Sequence, residues 1–176
     1  MLMKRFLVFF ILALSLLLCS KVFALTDTEV VDSFKQYVSD EMKKVFVSYE
    51  GTHYNVSYVE SNLNFWFKSY HKIDQNYKID VEKTTSLISP YVGTLQVEVY
   101  YNTSDKFPTK KTAEQATTYK VHSIQTFKIT LAYQENKWVV TDAHFKSSSL
   151  DSVIKQDKLS IYENLKCPDK IRLTAQ

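Results

Sequence analysis

Glycine is almost missing from this chain: Gly51 and Gly93 are the only two in 176 residues. A phosphate-cradling loop and a dinucleotide fingerprint each need several residues without a Cβ, so that backbone can approach phosphate, and both are excluded. Cysteine is as scarce, with Cys19 and Cys167 alone. There is no Gly-x-Ser-x-Gly elbow, and Cys167 has no histidine near it in sequence, which leaves nucleophilic hydrolysis without an obvious agent. The four histidines, His53, His71, His122 and His144, form neither the i, i+4 pair nor the short Cys/His array of a zinc site. The sequence therefore calls for no metal and no cofactor.

A lasting excess of positive charge is missing too. The formal net charge of +3 equals the contribution of Lys4, Arg5 and Lys21, and all three fall in a segment with the form of a secretory signal peptide. Two basic residues precede an apolar run from Phe6 to Leu18, and Val22-Phe23-Ala24 sets up cleavage after Ala24. The run is shorter than the roughly 20 apolar residues that span a bilayer, and Leu18 is not the small residue that lipoprotein cleavage before Cys19 requires. The expected mature chain is secreted or periplasmic, neutral, without a membrane span and without a basic field to attract nucleic acid. It keeps one cysteine, Cys167, which is either a free tail thiol or a link between two chains of a homodimer. The expected organisation is a signal peptide over 1–24, a single domain over 25–165 and a C-terminal tail over 166–176.

What the mature part does contain is periodic. Thr26 and Glu29 have the spacing of a capping box, and Val30, Val31, Phe34, Tyr37, Val38, Met42 and Val45 recur at helical spacing, which predicts a helix from Asp27 to about Phe46 with one apolar stripe. Gly51 marks the turn that leaves it. Tyr77, Ile79 and Val81, and then Leu95, Val97, Val99 and Tyr101, alternate with polar residues as half-buried strands do. Phe65-Trp66-Phe67 is apolar at both parities, as in a strand covered on both faces. The polar stretch from Asn102 to Thr118 leaves room for one helical turn near Thr112 to Ala116.

The clearest unit is a hairpin from Phe127 to Phe145. Phe127, Ile129, Leu131 and Tyr133 form one apolar face, Asn136 tolerates the positive φ of a tight turn, and Trp138-Val139-Val140 opens the return strand. Tyr119 and Val121 share the parity of Phe127, so Tyr119 to Tyr133 reads as one long strand facing the helix. Ile124 breaks the alternation, which a β-bulge within Ser123 to Gln125 would absorb. Ser147-Ser148-Ser149 can cap a short helix carrying Leu150, Val153 and Ile154, and beyond Ile161 the pattern fades.

One helix followed by antiparallel strands, with no βαβ rhythm, predicts an α+β fold: an N-terminal helix packed on a curved four- to five-stranded antiparallel sheet, with a short C-terminal helix. The helix stripe Val30 to Val45 and the ending Leu131-Ala132-Tyr133, Lys137-Trp138-Val139-Val140, Asp142 resemble the cystatin-like roll, the group that also holds nuclear transport factor 2-like domains. Ser89-Pro90-Tyr91-Val92-Gly93-Thr94-Leu95, Thr112-Ala113-Glu114-Gln115-Ala116 and Ala132-Tyr133-Gln134-Glu135-Asn136-Lys137-Trp138 are similar in wording to uncharacterised secreted bacterial proteins. The resemblance implies a fold and supplies no activity.

Candidate chemistry gathers on the hairpin. Asp142 and His144 share a parity, and His122 lies on the preceding strand, so the three are candidates for an acid–base group. Trp138 shares that parity and is the candidate ligand platform. Twelve tyrosines suit either strand packing or the stacking of a ligand. Asn55 and Asn102 each open a glycosylation sequon. The leading expectation is a non-enzymatic domain that binds a protein, peptide or small ligand. The alternative is a small acid–base enzyme of the polyketide cyclase-like or dehydratase-like kind.

Overall fold

The computed structural model describes residues 26–60, 62–149, 153–155 and 159–167, of which 153–155 are described in backbone only. The expected signal peptide and Leu150 lie outside them. The chain divides into two compact units, 1–30 and 31–176, and of the first only the opening of a helix is described. No helix among the described residues is long and apolar enough to cross a membrane.

Helix α1 spans Asp27–Tyr49 and opens with the expected capping box. The Thr26 backbone N–H donates to Glu29 Oε2 at 2.7 Å, and the Glu29 N–H donates to Thr26 Oγ1 at 3.3 Å. Further on, Phe34, Val38, Met42 and Val45 are fully buried, the stripe that a 3.6-residue period places on one side. Each contributes about 1.5–3 kcal/mol by leaving water. Gly51, with φ 74°, turns the chain away two residues past the helix, in the left-handed region that glycine enters without a Cβ penalty.

Among the described residues seven strands form one antiparallel sheet: β1 (Asn55–Val59), β2 (Phe65–Ile73), β3 (Lys78–Lys83), β4 (Tyr91–Thr103), β5 (Lys120–Gln134), β6 (Lys137–Ser147) and β7 (Val153–Lys155). The order is β1-β2-β4-β5-β6-β7, with β3 also paired to β4. Strands β2 and β3 lie end to end on one edge of β4, since β2 pairs with Val99–Thr103 and β3 with Tyr91–Gln96. The sheet curls into a half-barrel, and its concave side carries Leu95, Val97, Val99, Phe127, Ile129, Leu131 and Tyr133, all buried. Helix α1 lies against this side: the Phe34 and Trp138 ring centroids are 4.6 Å apart, and Trp138 Nε1 donates to Ser33 Oγ at 3.0 Å. The predicted α+β architecture is therefore the observed one.

The hairpin forms as expected, closed by Glu135 and Asn136 at φ 49° and 60°, the two positive angles of a type I′ turn. Two one-residue register shifts alter its surroundings. One falls between Thr130 and Leu131 on β5, where Thr141 is the extra residue on β6. The other leaves His122 unopposed between Val121 and Ser123, just before the expected position of a bulge. Past it the parity reverses, so Val121 is 54% exposed and does not face the helix.

The C-terminal segment differs from expectation. Val153–Lys155 pair with His144–Lys146 as β7 in place of the helix expected there. Two β-branched residues beside the unsatisfied edge of β6 gain a ladder of hydrogen bonds that a single helical turn cannot match. The short helix comes later, as α3 (Ile161–Leu165), capped by Ser160, whose hydroxyl accepts from the Glu163 N–H. Its start is held by Glu41, whose carboxylate accepts from the Tyr162 N–H at 3.2 Å. Just beyond it Cys167 is buried at 2% exposure, and its N–H donates to Ser48 Oγ at 3.0 Å. Cys167 is thus part of the packed fold and not an exposed tail thiol.

Candidate functional site

The expected acid–base group separates into two places. Asp142 and His144 do meet, Nε2 against Oδ2, with side chains 33% and 37% exposed. They pair in register with Thr130 and Lys128 on the outer face of the sheet, opposite the buried Ile129 and Ala143. His122 precedes Lys128 by six residues, roughly 20 Å along β5 at about 3.3 Å per residue, and stands on the concave side. The extra residue Thr141 also parts Trp138 from Asp142. Trp138 sits in the core, its ring 5.1 Å from that of Tyr133, and offers no platform to a ligand. A shift of one residue moves every side chain beyond it to the other face, and a parity count across Thr141 cannot register it.

The concave side beyond the reach of α1 holds a different cluster. His71, Tyr101 and His122, from β2, β4 and β5, stand in a row across the sheet. The His71 and Tyr101 centroids are 4.8 Å apart, and Tyr101 meets His122 edge-on at 5.8 Å. Next to the row opens a cleft of about 320 Å³ lined by Val59, Phe65, Phe67, Tyr101, Thr103, Ser104, Lys106 and His122. The Lys106 ammonium lies 4.4 Å above the Phe65 ring, and Ser104 is fixed by accepting from the Lys68 N–H at 2.9 Å. A second, more polar cleft of about 500 Å³ lies between the end of α1 and β2, lined by Phe46, Tyr49, Glu50, His71 and Gln75 among others.

Phe65, Phe67, Tyr101 and Lys106 were not candidates in the sequence, yet a signal was present. Phe65-Trp66-Phe67 is apolar at both parities, and all three side chains are only half-buried. Trp66 meets Tyr58 at a tilt on the outer face, with centroids 5.0 Å apart, while Phe65 and Phe67 are left to the cleft. The tyrosines divide in the same way. Tyr54, Tyr70 and Tyr119 form an outer-face cluster with centroids 5.0–5.5 Å apart. Burial, with Tyr54 and Tyr119 adding to it, raises the Tyr70 phenol above the usual tyrosine range. Helix α2 (Lys110–Glu114), the turn expected within the polar stretch, closes over this cluster, and Lys68 Nζ donates to the Glu114 carbonyl at 3.0 Å.

Of the two sequons, Asn102 is buried with Nδ2 donating to the Tyr100 carbonyl at 3.2 Å, while Asn55 opens β1 half-buried. Among the described residues no group of three or more His, Cys, Asp or Glu side chains could hold a metal ion. Fold and cleft together define an α+β domain with a curled sheet and an open aromatic recess on its concave side. The chain matches no protein-family model, no curated protein and no solved structure.

Proposed function

We propose that the protein is a secreted or periplasmic binding domain of the cystatin-like kind, which holds a small ligand in the concave cleft without turning it over. The observation that carries this reading is the cleft itself: Phe65, Phe67 and Tyr101 supply apolar wall, and Thr103, Ser104, Lys106 and His122 add a few polar groups to the lining. Apolar walls with a few convergent polar groups are the usual build of a small-molecule site, and about 320 Å³ falls at the lower end of their range. Secretion rests on the form of residues 1–24. The acid–base alternative needs Asp142, His144 and His122 around one pocket, and the separation of His122 from the other two speaks against that trio.

Amide shifts recorded while a library of small aromatic and aliphatic compounds is added test the reading. Binding compounds are expected to perturb Phe65, Phe67, Tyr101 and Thr103 together, and Phe67→Ala to weaken them. Perturbations confined to Asp142 and His144, or turnover lost in His144→Ala, would sink it. Secretion is checked separately, by sequencing the N-terminus of the exported protein. Leu25 is the expected first residue, and a retained Met1 would refute cleavage.

A further inference from the structure

We propose that the concave cleft selects a small apolar molecule bearing one anionic head group, with the head held by Lys106 and His122. This rests on the binding reading above and adds the chemical class of the ligand. Its basis is where charge lies in the cleft. The lining contains a lysine and a histidine and no carboxylate. Asp105, the acid next to Lys106, is turned to another cation, with Lys120 Nζ 3.2 Å from its Oδ1. The Lys106 ammonium stands over the Phe65 ring, a cation–π contact that keeps the charge at the edge of the apolar wall. His122 is set at the cleft by its bulge on β5, the kind of irregularity that re-aims a side chain. A ligand that laid its apolar body along Phe65, Phe67 and Tyr101 would bring a carboxylate, sulfonate or phosphate within reach of both groups. A cationic ligand would meet repulsion there.

Two dyes with the same aromatic body test this, anilinonaphthalene sulfonate and the uncharged phenylnaphthylamine. In fluorescence titrations of the purified protein the sulfonate is expected to bind about tenfold more tightly. Lys106→Gln is expected to erase that advantage and leave the neutral dye unchanged, Lys106→Arg to keep it, and Phe67→Ala to weaken both dyes. Circular dichroism of each variant shows that the fold is retained. Equal affinity for the two dyes, or an advantage that survives Lys106→Gln, overturns the anion preference. If that binding still depends on Phe67, the cleft remains a ligand site. If neither dye binds, or Phe67→Ala changes nothing, both readings fail together.

Discussion

Gly93 shows how much of the core depends on a missing atom. It lies in the middle of the curled sheet, and a Cβ built there would overlap the ring of Phe34, which is wholly buried. The helix can approach the sheet closely at this point because β4 has no side chain there. Gly93→Ala is therefore expected to cost about 2 kcal/mol, within the usual range for overpacking. Urea melts of the wild type, Gly93→Ala, Phe34→Leu and the double variant check the cause as well as the size. If the ring is the obstacle, Gly93→Ala costs clearly less in the Phe34→Leu background, since residues in contact are not additive. Strict additivity would place the strain elsewhere. Glu29 offers a second test at this scale. Hydrogen bonds from the Thr26 backbone, and then from its hydroxyl, hold the Glu29 carboxyl below the usual glutamate range. A depressed folded pKa gives stability that is present above the unfolded value and lost as pH falls through the folded one. Carboxyl titration by NMR is expected to find Glu29 below ordinary glutamate and to find it move upward in Thr26→Ala, where the hydroxyl donor is gone.

At the scale of elements, hairpin and helix were legible because their signals are local. Alternation from Phe127 to Tyr133 and helical spacing from Phe34 to Val45 are each written in neighbouring residues, and packing agrees with both. The bulge on β5 was legible to within one residue, because Ile124 breaks the alternation, although the unopposed residue is His122. The one at Thr141 was not, since its side chain type is ordinary for a strand and only the partner strand reveals that nothing opposes it. The consequence for the site was large, because Trp138 and Asp142 exchanged a common face for opposite ones across Thr141. The turn between β5 and β6 carries a further consequence. Glu135 adopts φ 49° although an L-residue in that region costs about 1–2 kcal/mol, and Asn-Gly is the pair that a type I′ turn favours. Glu135→Asn with Asn136→Gly is expected to stabilise the protein by about 1 kcal/mol. The denaturation midpoint should rise with an unchanged m-value. A lower midpoint would mean that the Glu135 side chain makes contacts worth more than the strain.

Across the whole molecule, the sequence lost its thread where tertiary pairing takes over from local pattern, and the C-terminal segment is the clearest case. Five residues from Ile161 to Leu165 are too few for a helical period to stand out, and Cys167 follows them like the start of a tail. The two ends of this segment nevertheless fasten to α1 by hydrogen bonds to buried side chains. Glu41 accepts from the Tyr162 N–H while holding Lys44 Nζ at 2.5 Å, and Ser48 accepts from the Cys167 N–H while donating to the Val45 carbonyl at 2.6 Å. Ile161 and Leu165 fill the space between, both buried. A homodimer linked through Cys167 would require this segment to detach first, because a thiol exchanges only where another sulfur can reach it. Ellman's reagent is therefore expected to react slowly with Cys167 in the native protein and at once in denaturant. Ser48→Ala, which leaves the buried Cys167 N–H without its acceptor at a cost of about 1–3 kcal/mol, is expected to speed the native reaction. A thiol that reacts at the denatured rate under native conditions would show that the segment is open in solution, and would return the covalent dimer to consideration.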